Sequence, residues 1–564
     1  MTTKKAEWWK DEIFYQIYPR SFQDSNGDGV GDLQGIISRL DYLQDLGITT
    51  IWLSPIYKSP MYDMGYDVAD YEAIDPIFGT MADFDELLAE ANKRHIKIIM
   101  DLVVNHTSNQ HEWFKQALAD PKSKYRDYYI FKHSDDGKVP NNWRSIFGGS
   151  TWEPVPNEPG TYYFNSFSPQ QPDLNWENPQ LRQVIYKMIN WWLEKGVAGF
   201  RIDAINFLKK DQDWSSLPPD AKDGLVSVIH KGQNRPGLEK FLAELKKATF
   251  DKYDAVTIGE AYGLKPSELK RLVGKHGYFS MIFDFSYMNI DINDGDEWFR
   301  GQNDWSVSDL RELIFDSQRG IKEADGWFAN VLENHDQPRV LSKLIKKAEN
   351  RTPKAAKALA VMYFFLPGDP FIYQGQEIGM KNFTRASINE FNDISSLNNY
   401  QLELDEGFTP EEALKNVNLK SRDNARTPMQ WDGSSKAGFT TGTPWLALGN
   451  DRKGINVADE LKDPNSVLNF YQPMIKFRQA PKIKPLMING DLQAIANEAE
   501  QVIAYEMRYE NHFVTVLVNL TDQEVSLEKT YAGELALSNE NGVELGKQTH
   551  VRNLNAYQAV VLYN

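Results

Sequence analysis

Eight short apolar runs, rich in β-branched and aromatic residues, alternate with longer amphipathic segments and most constrain the fold of this 564-residue chain. The runs are residues 13–22, 49–56, 97–106, 199–207, 255–262, 278–285, 327–336 and 360–375. Alternating strand and helix signals predict parallel strands joined by helical crossovers. Eight such strands can close into a barrel. The sequence therefore predicts an α/β fold, a (β/α)8 barrel of the TIM type.

Long polar stretches interrupt or follow this pattern. Residues 107–176 exceed an ordinary connection between a strand and a helix, and they predict a small inserted domain. Residues 380–432 predict a lid-like loop insertion in the barrel. From residue 479, alternating strands with turn residues between them predict a C-terminal antiparallel β-sandwich domain, 479–564. The barrel is then built from residues 1–106 and 177–478.

The composition argues against several classes of partner. Lys and Arg number 62 against 79 Asp and Glu, a net charge of −17, which repels nucleic acid and anionic membranes. The chain has no cysteine, and it shows neither a signal-peptide pattern nor a long apolar span. These features favour a soluble, cytoplasmic protein with no nucleic-acid or membrane partner. No glycine-rich turn indicates an organic cofactor, and the oligomeric state stays open.

Ionisable side chains gather where the apolar runs end. The fourth run carries Arg201 and Asp203, and the fifth ends in Glu260. The seventh run ends in His335 and Asp336. An aspartate at a strand end is often only the N-cap of the next helix, but that role does not explain Arg201 on the same strand face as Asp203. Because the C-terminal strand ends of a barrel form its active site, we expect these groups to meet there.

Carboxylates on neighbouring strands fit glycoside hydrolysis. That reaction needs one carboxylate at the anomeric carbon and one carboxylic acid at the departing oxygen, about 5–5.5 Å apart in retaining enzymes. Asp203 and Glu260 would face each other in this way, with Asp336 at their side. We expect Arg201 to keep Asp203 ionised.

Several sequence strings resemble the α-amylase superfamily, glycoside hydrolase family 13, and within it the oligo-1,6-glucosidase and α-glucosidase branch. The strings are DLVVNH at 101–106, QPDLNW at 171–176, GFRIDAINF at 199–207, IGEAYG at 258–263, ENHDQPR at 333–339 and SRDNARTPMQW at 421–431. The resemblance implies a retaining, exo-acting α-glucosidase that releases glucose from the non-reducing end of short oligosaccharides. It implies Asp203 as nucleophile, Glu260 as general acid/base and Asp336 as transition-state stabiliser.

The same resemblance implies the substrate-binding residues, which are Asp63, Tyr66, His106, Phe167, Gln171, Arg201, His335 and Arg426. Tyr66 is expected to stack on the terminal glucose, and His106 and His335 to donate to its hydroxyls. Asp63 is expected to pair with Arg426, with Arg422 as the weaker candidate. Such an ion pair would block the back of the pocket, so that one glucose is removed at a time.

The segment DSNGDGVGD at 24–32 predicts a divalent cation site. Asp24, Asn26, Asp28 and Asp32 alternate with small residues, and the carbonyl oxygen of Val30 would add a ligand. The segment begins like a calcium-binding helix-loop-helix but lacks the glutamate at position twelve. The family resemblance implies structural Ca²⁺ here, and a plain polar turn stays the alternative.

The substrate is less closely defined. In the branch that the chain resembles, valine after the nucleophile accompanies α-1,6 activity and a smaller residue accompanies α-1,4 activity. Ala204 therefore favours maltose-like substrates, with strict α-1,6 hydrolysis as the alternative. Transglucosylation stays open.

Three other functions are weighed against hydrolysis of short α-glucosides. Sucrose isomerases carry an arginine-rich segment, and MNIDIN at 288–293 lacks both arginines. Trehalose-6-phosphate hydrolases need a cationic cluster, which Lys343, Lys346 and Lys347 could offer, although a solvated helix face is the simpler interpretation. A non-catalytic sugar-binding or interaction module is disfavoured because all three carboxylates are present.

Overall fold

A closed barrel of parallel strands forms the centre of the molecule. The computed structural model describes residues 7–264, 266–292, 303–495 and 498–564. Within these ranges the barrel strands are β1 (Phe14–Ile17), β2 (Thr50–Leu53), β3 (Lys97–Leu102), β4 (Gly199–Ile202), β5 (Val256–Gly259), β6 (Met281–Phe283), β7 (Phe328–Val331) and β8 (Asp369–Tyr373). Each strand pairs with the next, and β8 closes on β1 through Phe14 and Phe371. The predicted barrel is confirmed.

The eighth apolar run differs from the expectation of a single strand. Its first part belongs to the helix Pro353–Phe364, and only its second part forms β8. Every residue of this helix from Ala355 onward is buried, so it has no polar face. A continuous apolar run does not distinguish a fully buried helix from a buried strand, which explains the difference.

Helices cover the outside of the barrel and fill the insertions. The α-helices of the described residues are Leu33–Ser38, Leu40–Leu46, Met81–Lys93, Glu112–Ala119, Pro179–Glu194, Ile229–Gly232, Leu238–Ala248, Pro266–Val273, Val307–Glu323, Val340–Leu344, Pro353–Phe364, Ile394–Glu406, Pro410–Lys420, Asp423–Arg426, Val457–Glu460, Leu468–Arg478 and Lys484–Asn489. Several begin at clear sequence signals. Thr80 and Asp83 form a reciprocal capping box, and Asn178 caps a helix with proline at its first position.

Residues between β3 and β4 form small elements above the barrel. An antiparallel sheet joins Phe131–His133, Thr161–Phe164 and Trp152–Pro154. The short strand Trp143–Arg144 pairs with Val226–Ser227, which follows β4. The inserted residues therefore pack against a second long connection of the barrel. A further hairpin, Tyr57–Lys58 with Asp70–Ile74, follows β2.

The C-terminal residues form the predicted antiparallel domain. In the described residues its strands make one six-stranded sheet in the order Asp491–Ala494, Val502–Tyr509, His512–Asn519, Ala559–Tyr563, Val525–Ser538 and Gln548–Leu554. Side chains such as Tyr505 pack with the buried helix of the barrel, and the Tyr505 hydroxyl donates to the carbonyl of Met362. Alternate residues such as Ala504 pack on the other face with Leu527 and Leu554. The domain therefore has an apolar core on each face of the sheet.

A buried lysine connects the inserted residues to the barrel. Lys210 Nζ lies 2.6 Å from a carboxylate oxygen of Asp173 and donates to the side-chain oxygen of Asn105 at 2.9 Å. Asn105 follows β3, and Asp173 lies in the QPDLNW segment that leads back toward β4. All three side chains are buried. Asp173 therefore compensates the charge of Lys210, and Asn105 accepts one of its hydrogen bonds.

Replacing Lys210 with alanine should strongly destabilise the protein. Removal of one partner from a buried ion pair leaves the other charge uncompensated and lowers the free energy of unfolding by about 3–5 kcal/mol. The neighbouring Lys209 pairs with Glu177, which is 42% exposed, so Lys209→Ala should cost about 0–1 kcal/mol. Denaturant unfolding of both variants checks this, and equal losses would contradict it.

Candidate active site

Arg201 on β4 joins three carboxylates at the C-terminal end of the barrel. Its Nη1 atom lies 2.8 Å from Asp101 and 2.6 Å from Asp203, and its Nη2 atom lies 2.8 Å from Glu260. These residues come from the neighbouring strands β3, β4 and β5 or their ends. The guanidinium is 1% exposed, so water does not screen these contacts. Arg201 therefore brings Asp203 and Glu260 together at one edge of the barrel.

Burial raises the pKa of both candidate catalytic carboxyls. It raises the pKa of Asp203 to about 7, although Arg201 opposes the shift. Burial also raises the pKa of Glu260 to about 7, again against Arg201. The expected effect of Arg201 is present, because the guanidinium opposes the rise in pKa, but desolvation is the larger of the two effects. One carboxyl of the pair can then be protonated while the other is charged.

The residue after Asp203 has an unusual backbone. Ala204 lies in the left-handed region, with φ of 43°. This conformation is uncommon for a residue other than glycine and costs conformational energy. It allows the Ala204 N–H to donate to Glu260 Oε2 at 2.9 Å, while Glu260 Oε1 contacts Arg201. Ala204 therefore orients the carboxyl of Glu260.

His335 contacts Asp336, the candidate transition-state stabiliser. Gln16 donates to His335 Nδ1 at 2.8 Å, which leaves the ring proton on Nε2, 3.0 Å from Asp336. Tyr66 stacks on the His335 ring at 5.2 Å between centroids. Burial lowers the pKa of His335 to about 3, so the ring is neutral. The side chain has no exposed surface, so it lies behind Asp336 instead of facing a sugar hydroxyl as expected.

Two arginines from one segment contact the carboxylates of Asp63 and Asp336. Arg422 Nη2 lies 3.0 Å from Asp63, and its Nη1 lies 3.3 Å from Asp336. Arg426 Nη2 lies 2.9 Å from Asp336, and its Nε donates to the carbonyl of His335. The expected pairing of Asp63 with Arg426 is therefore wrong, and Arg422 is the partner. The two arginines lie at either end of one helical turn, Arg422 as the N-cap and Arg426 as the last residue of Asp423–Arg426, so they reach the same region.

The pKa of Asp336 is lowered despite its burial. Desolvation alone would raise it, but the contact with the His335 ring N–H at 3.0 Å and the charges of Arg422 and Arg426 outweigh that effect. Asp336 is therefore charged at neutral pH, in contrast to the pair formed by Asp203 and Glu260. Environment thus divides the three carboxyls into one permanent anion and two groups that titrate near neutrality.

The inserted residues supply a side wall. Gln171 Nε2 donates to Asp63 at 3.1 Å, and His106 Nε2 donates to the carbonyl of Tyr66 at 3.1 Å. The Phe167 ring packs against His106, with 5.2 Å between centroids. Burial lowers the pKa of His106, so its ring is neutral. These contacts join the insert to the loop after β2.

A cavity of about 570 Å³ contains the carboxylates. Its wall includes Asp63, Tyr66, His106 and Phe167 with the three candidate catalytic residues. The other predicted binding residues, Gln171, Arg201, His335 and Arg426, lie behind that wall and contact its members. A volume of this size lies within the usual range of small-molecule binding sites.

Other lining residues were not predicted from the sequence. Tyr262 follows Glu260 by two positions and stacks on Phe285, so its place in the IGEAYG string could have indicated it. Phe147 lies in the insert, and Ser395 and Asn399 lie on the helix Ile394–Glu406. These three belong to long insertions without a repeating pattern, where sequence periodicity carries no signal.

The lysines considered for phosphate binding are not in this cavity. Each lies opposite a carboxylate; the pairs are Lys343 with Asp291, Lys346 with Asp304 and Lys347 with Asp522. None of the three lines the cavity among the described residues. They therefore do not form a cationic cluster beside the carboxylates. Asn293, the last residue of MNIDIN, lies outside the described residues.

The loop at 24–32 uses its side-chain oxygens within the loop. Asp24 accepts from the backbone N–H groups of Asn26, Gly27 and Gly29. In the same way, Asn26 accepts from the N–H of Asp28, whose carboxylate accepts from that of Val30. The side chain of Asp32 caps a helix by accepting from Gly35.

In this conformation, the described residues contain no group of three or more Asp, Glu or His side chains arranged to hold an ion.

Across the described ranges, no helix combines the length and apolar character needed to cross a membrane.

Comparison with known proteins agrees with this geometry. Residues 16–485 match the family Alpha-amylase, described as alpha amylase, catalytic domain. The chain is 43% identical over 518 residues to an oligo-1,6-glucosidase of Parageobacillus thermoglucosidasius, covering 92% of this chain and 91% of the relative. It is 40% identical over 528 residues to a trehalose-6-phosphate hydrolase of Bacillus subtilis (strain 168), covering 93% and 92%.

A solved structure gives the same result. The crystal structure of isomaltulose synthase from Klebsiella sp. LX3 superposes with a TM-score of 0.92 at 37% identity, covering 99% of each chain. The family match, the similarity over nearly the whole chain and the barrel with its carboxylates lead to one conclusion. The chain belongs to the α-amylase family and is a glycoside hydrolase.

Proposed function

We propose that this protein is a retaining, exo-acting α-glucosidase that removes single glucose units from short α-1,6-linked oligosaccharides. The observation that carries the exo-acting part is the contact of Arg422 with both Asp63 and Asp336 at the closed end of the cavity. Asp63 follows β2 and Asp336 follows β7, so Arg422 connects two loops whose strands are separated in the barrel by β1 and β8. A chain of sugars could not continue past this point. Only the terminal glucose of a non-reducing end would fit.

The proposed reaction proceeds in two steps. Asp203 attacks the anomeric carbon while Glu260 protonates the departing oxygen, which gives a β-glucosyl-enzyme. Glu260 then deprotonates water, and water attack releases glucose with its α configuration retained. Asp336, charged at neutral pH, would bind hydroxyls of the distorted sugar and stabilise the positive charge that develops on the ring. An acceptor sugar in place of water would give transglucosylation.

Two observations bear on which glucosidic bond the protein hydrolyses, and they point to different bonds. The oligo-1,6-glucosidase relative favours α-1,6 bonds, whereas Ala204 favours α-1,4 bonds. We give the relative more weight, because it shares 43% identity over 518 residues while the Ala204 argument concerns one position. The trehalose-6-phosphate hydrolase relative supports a second candidate, but the paired state of Lys343, Lys346 and Lys347 counts against a phosphate subsite.

A substrate panel tests this proposal. Purified protein should release glucose from isomaltose and panose faster than from maltose, sucrose or trehalose 6-phosphate. Asp203→Asn should lower kcat by about ten-thousand-fold or more, because the nucleophile is lost. Asp316→Asn, which alters an exposed carboxylate far from the cavity, is the matched control and should keep full activity. Unchanged hydrolysis in Asp203→Asn would contradict the assignment, and faster release from maltose would move the linkage to α-1,4.

The activity should have a narrow maximum near neutral pH. Both carboxyls titrate at about 7, and the reaction needs Asp203 ionised and Glu260 protonated. As pH falls below 7, Asp203 takes up a proton and is no longer a nucleophile. As pH rises above 7, Glu260 loses the proton that it must donate. The pH profile of kcat/KM for isomaltose reports both limbs.

A substrate with an activated leaving group separates the two limbs. Hydrolysis of p-nitrophenyl α-glucoside needs little acid assistance, so its kcat/KM should fall less on the alkaline side. A profile for isomaltose that stays flat from pH 5 to pH 9 would contradict the roles given to the pair.

Calcium at residues 24–32 stays a separate proposal, supported by the alternating oxygen ligands of the loop. Calcium that binds only the folded state should raise Tm by about 2–4 °C or more over chelator-treated protein. Asp28→Ala should abolish the increase, while Asp135→Ala, which changes a fully exposed carboxylate, should keep it. Equal Tm values with calcium and with chelator would contradict this site.

A cytoplasmic location likewise stays a proposal, supported by the absence of cysteine.

A further inference from the structure

Asp393 contacts Arg422 from the side opposite the cavity. Its Oδ1 atom accepts from Arg422 Nη2 at 2.6 Å and from Nε at 2.9 Å. Asp393 is 1% exposed and does not line the cavity, whereas the other acidic partners of Arg422, Asp63 and Asp336, both do. Arg422 therefore has two carboxylate partners that face the sugar and one that does not.

Asp393 is also fixed to its own helix. It is the N-cap of Ile394–Glu406, and its carboxylate accepts from the backbone N–H groups of Ser395 and Ser396. The hydroxyl of Ser396 donates to the same carboxylate and contacts the hydroxyl of Ser421 at 2.7 Å. Ser421 immediately precedes Arg422. The start of this helix and the segment that carries the arginine are thus hydrogen-bonded into one unit.

A second contact orders the turn before the helix. Asp423 accepts from the backbone N–H groups of Asn392 and Asp393 through one oxygen. The carboxylate of Asp393 therefore has a fixed position before Arg422 meets it. A long arginine side chain loses rotamer freedom when it is held in one place, and a fixed, buried carboxylate reduces the number of positions available to it.

A bound sugar would compete with Arg422 for two of its three carboxylate partners, and Asp393 is the third. If Asp63 and Asp336 bind glucose hydroxyls, their hydrogen-bonding capacity is shared between the sugar and Arg422. The contact with Asp393 does not change, because the sugar does not reach it. The Phe147 ring, 5.0 Å from the guanidinium carbon, limits movement on another side. Arg422 can then keep its place in both the empty and the occupied cavity.

We propose that Asp393 is a positioning residue that holds Arg422 across the closed end of the cavity and so sets the affinity for the terminal glucose. This inference rests on the proposed α-glucosidase function and adds a residue that does not touch the substrate. Asp393 acts only through Arg422. Asp336 keeps its second arginine, Arg426, so its charge compensation does not depend on Asp393.

Asp393→Asn tests the role because it removes the charge and keeps an oxygen that can cap the helix. We expect KM for isomaltose to rise about tenfold while kcat changes less than about threefold. Asp393→Ser also keeps an N-cap oxygen and should show the same split. In an Arg422→Lys background, Asp393→Asn should raise KM by less than about a further twofold, because the two residues act as one unit.

Thr409→Ala is the control for loss of a helix cap in the same insertion. Thr409 is exposed and caps the helix Pro410–Lys420 without contact to Arg422. It should lower Tm and leave KM unchanged. An unchanged KM in Asp393→Asn, or an equal rise in Thr409→Ala, would overturn the positioning role. Failure of the unaltered protein to release glucose from any α-glucoside would instead overturn the proposed function, so the two failures are distinguishable.

Discussion

The guanidinium of Arg201, buried among Asp101, Asp203 and Glu260, is the interaction on which the active site depends. Three carboxyls in one dry volume would repel each other and take up protons, since burial disfavours the charged form. Arg201 supplies the compensating charge through both of its terminal nitrogens. It reduces the pKa shifts without abolishing them, which leaves Asp203 and Glu260 at about 7. The barrel provides this geometry because adjacent parallel strands bring their C-terminal ends to one edge.

The charges around Asp336 have the opposite effect on its pKa. Asp336 contacts both Arg422 and Arg426, and its pKa is lowered instead of raised. The same barrel mouth thus keeps one carboxylate charged and lets two titrate near neutrality. This division matches the chemistry, because a group that stabilises a cation must stay anionic while an acid/base must exchange a proton. The basic groups beside each carboxyl separate these roles more than burial does: His335, Arg422 and Arg426 surround Asp336, whereas Asp203 and Glu260 share Arg201.

Much of this arrangement could be predicted from the sequence, because strand ends and strings such as GFRIDAINF are local signals. The barrel and the meeting of Asp203 with Glu260 follow from strand order alone. The eighth run was misread in part, because the helix Pro353–Phe364 is buried on every side and has no polar periodicity. Phe147 and Ser395 were missed for a different reason: each reaches the cavity from a long insertion whose path is set by tertiary contacts.

The exchange of Arg422 for Arg426 shows where sequence reasoning reaches its limit. Residues four positions apart on a helical turn point to nearly the same side, so spacing alone does not decide which one meets Asp63. Which arginine meets Asp63 depends on the position of that turn. Asp393 contributes to this position by contacting Arg422 but not Arg426. In the proposed role, a residue of the insertion thus helps to fix which arginine of the SRDNAR string contacts Asp63. The proposed specificity for a single terminal glucose would therefore depend on the fold of the insertion as well as on the barrel.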